Sequence, residues 1–126
     1  MSNKQLETIF IIEDDPWQAD QYRLVLEAAG YSVRIFDNGL AAIEAIDKVQ
    51  PDVIVLDMLL PGTTGLALMH ELQSYRDTGE VPVILCTNLA DEVKLDDMVP
   101  YGVQRILDKA TMQPYDLVTA VRSVLL

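Results

Sequence analysis

Basic side chains are scarce in this sequence: nine lysines and arginines stand against 20 aspartates and glutamates, a formal charge of −11. A nucleic-acid backbone or an anionic lipid surface would repel such a chain, so direct binding to either is not expected. Cysteine occurs once, which excludes a disulfide within one chain. Cys86 lies inside Val83-Ile84-Leu85-Cys86 and reads as a small buried hydrophobe rather than a reactive thiol. Histidine also occurs once; His70, beside Glu71, is expected at the surface and not as a metal ligand. No apolar run approaches the roughly 18–20 residues that span a bilayer, and Met1-Ser2-Asn3-Lys4-Gln5 lacks the apolar segment of a secretory signal. A cytoplasmic location is therefore expected. Ser-rich linkers, low-complexity segments and shifts in composition are absent, so residues 1–126 are read as one domain.

What is present is a half-apolar chain whose short β-branched runs alternate with stretches of helical periodicity. Five strands are predicted, in Ile9-Phe10-Ile11-Ile12, Ser32-Val33-Arg34-Ile35-Phe36, Val53-Ile54-Val55-Leu56, Val81-Pro82-Val83-Ile84-Leu85 and Val103-Gln104-Arg105-Ile106-Leu107. The first, third and fourth are apolar throughout, as central parallel strands covered on both faces should be, while the second and fifth carry polar residues suited to edges. Helices are predicted over about 16–29, 39–48, 65–76, 91–99 and 115–125, each long enough to cross back over a parallel sheet. Asp15, Pro16 and Gln18 mark the start of the first helix and Gly30 its end. Gly39, Gly65, Gly79 and Gly102 punctuate other junctions, with Pro51, Pro61, Pro100 and Pro114 at or near element ends. The pattern predicts an α/β three-layer αβα sandwich around a five-stranded parallel, doubly wound sheet with the first, third and fourth strands inside; the flavodoxin-like form of such a sheet has the order 2-1-3-4-5. Closing a barrel of this kind takes a much longer chain.

In open sheets of this type, ligands bind beyond the carboxyl ends of the strands. Those positions hold Glu13-Asp14-Asp15 after the first strand, Asp57 after the third, Thr87 after the fourth and Lys109 after the fifth. Each alone has an ordinary explanation: Asp15 as a helix cap, Asp57 as a loop-starting residue, and Thr87 or Lys109 as a commonplace strand-end residue. Their convergence at one edge of the sheet is what points to chemistry. Glu13, Asp14 and Asp57 would place like charges within a few ångströms, so either their pKa values rise or a cation neutralises them. Carboxylate oxygens without histidine or cysteine favour Mg²⁺ or Mn²⁺. Such an ion also bridges phosphoryl oxygens, while Lys109 and Thr87 could hold others and leave an Asp57 oxygen in line to attack.

Ile11-Ile12-Glu13-Asp14-Asp15-Pro16, Val55-Leu56-Asp57-Met58-Leu59-Leu60-Pro61-Gly62 with Gly65, and Tyr101-Gly102 ahead of Leu107-Asp108-Lys109 resemble the response-regulator receiver family across the whole chain. The resemblance implies a flavodoxin-like sheet with Asp57 as phosphoacceptor. It implies that Asp14, Asp57 and the backbone carbonyl of Leu59 bind the metal, with Glu13 acting directly or through water, and that Thr87 and Lys109 hold the phosphoryl group. The implied donor is a histidine kinase or histidine phosphotransfer protein. Output is implied through the face of the fourth helix, fifth strand and fifth helix, toward a downstream protein or a second copy in a homodimer. Three residues depart from the family pattern. Ile106 stands where an aromatic ring usually couples to the threonine, and Asn88 follows Thr87 where a small residue is typical. Ala110 follows Lys109 where a cis proline is usual; a cis bond here would cost about 3–4 kcal/mol.

Two other reading classes remain, and both meet specific obstacles. A phosphatase of the haloacid dehalogenase class needs an acid-base aspartate two positions past its nucleophile, where this chain has Leu59. The expectation is thus a stable phosphoacceptor and not a turnover enzyme. A flavin-phosphate module would need donors after the first strand, where Glu13-Asp14-Asp15-Pro16 supplies charges that repel phosphate. A receiver fold that only docks, unphosphorylated in practice, is the third alternative, suggested by the departures. Trp17 lies near the acidic corner; Asp91 to Asp97 reads as a charged helix face that could meet a partner. The apolar end of the last helix fits either a complete single-domain regulator or one excised from a longer protein.

Overall fold

The computed structural model describes residues 6–57, 59–60, 63–64, 67–68, 70–71 and 81–125. Strands β1 (Thr8–Ile12), β2 (Ser32–Phe36), β3 (Val53–Asp57), β4 (Val83–Thr87) and β5 (Val103–Asp108) form one parallel sheet in the order β2-β1-β3-β4-β5. This is the predicted flavodoxin-like order, with the three wholly apolar runs inside and the two polar ones at the edges. A short antiparallel ribbon, Leu59–Leu60 against Thr63–Thr64, follows β3. The strand ends lie slightly later than predicted: Asp57 and Thr87 are the last ladder residues of β3 and β4, and Pro82 stays outside the sheet. Proline has no N–H for a ladder, which accounts for the later start of β4.

Side chains alternate across the strands, and each face of the sheet therefore builds its own core. Phe10, Ile12, Ile54, Leu56, Val83 and Leu85 pack with Ala42, Ile43 and Ile46 of helix α2 (Gly39–Ile46) and with Leu68. On the opposite face, Ile9, Ile11, Val53, Val55, Ile84 and Cys86 meet Ala19, Tyr22 and Leu26 of α1 (Pro16–Ala28) and Leu117, Val118 and Val121 of the C-terminal helix (Pro114–Val124). At the β2 edge the Arg34 guanidinium lies 5.5 Å from the Phe10 ring centroid and 5.3 Å from that of Phe36, over the rim of the first core.

Local signals set the helix ends. Asp15 accepts from the N–H groups of Trp17 at 3.0 Å and Gln18 at 3.3 Å, with Pro16 at the first helical position. Gly30 (φ +100°) closes the same helix: its N–H donates to the Glu27 carbonyl at 3.0 Å and that of Tyr31 to Leu26 at 3.1 Å, a Schellman motif. Asn38 caps α2 through Ala41 N–H at 2.9 Å. The Gln113 N–H donates to the Asp116 carboxylate at 2.8 Å at the start of the C-terminal helix.

The predicted helix over 91–99 is replaced by three short pieces: 3-10 turns at Ala90–Glu92 and Val99–Tyr101 flank a four-residue helix, Leu95–Met98. Val93 and Lys94 are extended between them. Asp96 and Asp97 favour the first turn of a helix, where its dipole is positive, and Pro100 cannot continue one. The start is thereby pushed late and the end early. Pro61, Gly62, Gly65 and Gly79, and most of the helix predicted over 65–76, lie outside the described residues. His70 is exposed, as expected, but not alone: its Nε2 lies 3.2 Å from the Tyr101 hydroxyl.

No helix among the described residues is long and apolar enough to cross a membrane. The two-sided core predicts unequal tolerance to truncation. Leu85→Ala should cost about 2–5 kcal/mol of unfolding free energy, because it empties a fully buried site. Leu40→Ala, on an exposed residue, should cost under about 0.5 kcal/mol. Urea denaturation of both variants checks the contrast.

Candidate functional site

The carboxyl ends of β1, β3, β4 and β5 meet because their ladders are in register: Ile12 pairs with Leu56, Asp57 with Cys86, and Thr87 with Asp108. Two further backbone bonds pin the loops beyond them, Glu13 N–H to the Phe36 carbonyl at 2.9 Å and Lys109 N–H to the Thr87 carbonyl at 3.0 Å. Glu13, Asp57 and Thr87 are the buried polar residues of the described chain, whereas Asp14 is exposed. Carboxylate oxygens of Glu13, Asp14 and Asp57 lie within 4.8 Å of one another.

Lys109 binds two of these three. Its Nζ donates to Glu13 Oε1 at 2.6 Å and lies 3.2 Å from Asp57 Oδ2. The remaining Glu13 oxygen, Oε2, accepts the Asp15 N–H at 3.4 Å. Burial is the main influence on Glu13 and raises its carboxyl from 4.5 to about 7; the Lys109 ammonium pulls it down and the Asp57 carboxylate pushes it up. Burial likewise opposes the Lys109 ammonium. Its hydrogen bond to Glu13 and the charges of Glu13 and Asp57 outweigh that penalty and hold its pKa above the ordinary lysine value.

Thr87 is turned into the β4 loop, its Oγ1 accepting the Leu89 N–H at 3.0 Å. That bond occupies an acceptor site and leaves the hydroxyl proton able to donate elsewhere. Leu59 opens the short ribbon two residues past Asp57. The donor set is therefore hard oxygen only, partly buried and acidic, and it fits Mg²⁺ in chemical type.

The three atypical positions are now placed. Asn88 is exposed next to Thr87. Ile106 is half-buried and packs against the α2-side core, together with Val93, Met98 and Tyr101. No described peptide bond is cis, so Lys109 reaches Glu13 and Asp57 with Ala110 behind it in the trans form. Behind the site, the Tyr22 hydroxyl lies 3.9 Å from Met112 Sδ, and burial pushes the Cys86 thiol up to about 12. The sequence reading of Cys86 as an inert core residue agrees with that environment.

Sequence reasoning gave no role to Asp108, whose Oδ1 accepts the Ala110 N–H at 2.9 Å just past Lys109. Its signal is an aspartate two residues before a residue with a free N–H, the Asx-turn pattern. That pattern is visible only when Ala110 is read as a donor and not merely as a missing proline.

Residues 9–122 match the response regulator receiver domain family. The chain is 30% identical over 120 residues to the DNA-binding response regulator MtrA of Mycolicibacterium smegmatis, covering 93% of this chain and 50% of that protein. It thus spans about half the length of this curated relative, and DNA binding is a property of that whole protein. Among solved structures it resembles the signal receiver domain of a signal transduction histidine kinase from Syntrophus aciditrophicus. The TM-score is 0.80 and the identity 31%, over 94% of this chain and 89% of that one. The receiver domain of a sensor histidine kinase from Pseudomonas aeruginosa, which holds a magnesium ion in its active-site cleft, shares the fold with a TM-score of 0.85 at 21% identity. Coverage is 96% of this chain and 98% of that one.

The raised Glu13 carboxyl has a measurable consequence without divalent cations. A group whose folded pKa exceeds its unfolded value contributes stability that is full below the unfolded value, 4.5, and is lost as pH rises through the folded one, about 7. Denaturation in chelator at about pH 5 and about pH 8 should show that loss in the wild type and a smaller one in Glu13→Gln.

Proposed function

Because the chain belongs to the receiver domain family of two-component response regulators, we propose that it accepts a phosphoryl group on Asp57 and loses it slowly to water, which releases inorganic phosphate and the free carboxylate, as a signal and not as enzymatic turnover. The observation that carries this reading is the gathering of three carboxylates within 4.8 Å, with Lys109 on two of them, Glu13 and Asp57. An Asp57 oxygen forms the new bond to phosphorus while the bond from phosphorus to the donor's leaving group breaks. A histidine kinase or histidine phosphotransfer protein is the donor this chemistry suits.

Asp14, Asp57 and the Leu59 carbonyl are the residues that would hold Mg²⁺ or Mn²⁺, with Glu13 acting directly or through water. The ion supplies charge neutralisation for the transferring oxygens. Lys109 exchanges its carboxylate contacts for a phosphoryl oxygen, and Thr87 donates its hydroxyl proton to another. Leu59 cannot act as acid or base two positions beyond the nucleophile, which favours a persistent acyl phosphate. The new charge, roughly −1.5 to −2 at a buried corner, biases two states of the neighbouring loops.

Output is proposed through the face made by Leu95–Met98, β5 and the C-terminal helix, toward a downstream protein or a second copy. Leu95 and Val99 are exposed there. A cytoplasmic setting and no direct contact with nucleic acid or membrane complete the proposal for this chain, in keeping with its charge of −11.

With Mg²⁺ and acetyl phosphate, intact mass should show one added phosphoryl group that is base-labile and absent from Asp57→Asn. An unmodified wild type, with small donors and histidine-kinase donors alike, would favour the docking-only reading instead. Since Ile106 has no ring to swing, beryllofluoride should shift amides around Asp57 more than those of Leu95–Met98. Large shifts across the whole output face would overturn that second expectation.

A further inference from the structure

The turn that carries Lys109 is closed by a side chain to which the phosphoacceptor reading gives no role. Asp108 Oδ1 accepts the Ala110 N–H at 2.9 Å, and the Asp108 carbonyl accepts the N–H groups of Thr111 at 3.2 Å and Met112 at 2.9 Å. Lys109 sits inside this turn, with its own N–H on the Thr87 carbonyl at 3.0 Å. Its backbone is thus held by the β4 ladder on one side and by an Asx turn on the other. The flexible lysine stem then needs to order only its own torsions to reach Glu13 at 2.6 Å and Asp57 at 3.2 Å. A proline at position 110 has no N–H and could not take part in this turn. Alanine can, and every described peptide bond is trans.

We infer that Asp108 is a positioning residue for Lys109: its carboxylate, by capping the Ala110 N–H, fixes the turn that aims the ammonium at the phosphoacceptor. The inference rests on the phosphoacceptor reading for its consequence, but the placement of Lys109 can be measured without it. The acting feature is the Oδ1 acceptor and not the negative charge. Asparagine keeps that acceptor and removes the charge, whereas alanine removes both.

Wild type, Asp108→Asn and Asp108→Ala are compared in three ways: hydrogen exchange at the Ala110 amide, acylation of Lys109 by an amine-reactive reagent located by peptide mapping, and phosphorylation by acetyl phosphate alongside Mg²⁺ affinity by calorimetry. Asp108→Ala should speed both exchange and acylation. It should slow phosphorylation roughly fivefold to tenfold, the size expected for one lost hydrogen bond, and leave Mg²⁺ affinity unchanged. Asp108→Asn should behave as wild type. Asp108→Ser, a weaker acceptor, should fall between and serves if the alanine chain does not fold. The inference is overturned if Asp108→Asn is as impaired as Asp108→Ala, if acylation of Lys109 is indifferent to position 108, or if Mg²⁺ affinity falls in step with the rate. A wild type that takes no phosphoryl group overturns the phosphoacceptor reading alone, and the acylation ratio still decides whether Asp108 places Lys109.

Discussion

Three carboxylates crowded at the end of a sheet repel one another, and burial of Glu13 and Asp57 strips away much of the water that would screen them. Within the described chain, the Lys109 ammonium offsets that repulsion at two of the three. It can do so because β5 delivers it to the same edge through register with β4. The arrangement is strong enough to persist and incomplete enough to be useful. Asp14 stays exposed, and the site keeps negative charge that a cation or a transferring phosphoryl group would rearrange. Fold and chemistry are linked here in a direct sense: the ladders that bury the core also bring the charges together.

The sheet was legible in the sequence because β1, β3 and β4 are apolar on both faces, and only central parallel strands require that. The converging strand ends were legible for the same reason, since sheet order fixes which loops are neighbours. The broken helix before β5 was not. Its residues have helical periodicity, but the position of Asp96 and Asp97 and the stop at Pro100 outweigh it once Leu95–Met98 has too little length to pack. Nor could periodicity show that Glu13 would spend one oxygen on Lys109 and the other on the Asp15 N–H, because both contacts depend on loop geometry. Ala110 illustrates a different limit: compared with the family pattern it reads as a loss, whereas in the structure it is a donor.

Ile106 is half-buried against the α2-side core, which Val93, Met98 and Tyr101 also flank, and the Tyr101 hydroxyl lies 3.2 Å from His70 Nε2. A β-branched aliphatic side chain is stiff at χ1 and carries no ring to swing between two sites. On this side of the sheet the short turns before β5 hold no buried residue, so shifting them against the core would expose little apolar surface.

The guanidinium that covers Phe10 and Phe36 has a consequence beyond sealing the core. Arg34 is the middle residue of β2, and β2 is an outer strand whose backbone groups can accept another strand. Two copies joining antiparallel about the centre of that strand would set one Arg34 against the other, and like charges directly opposite on a ladder oppose pairing. The two rings favour that placement of the charge, by about 0.5–1 kcal/mol at an exposed site. The side chain that covers the core at this border thus also opposes that pairing of two copies.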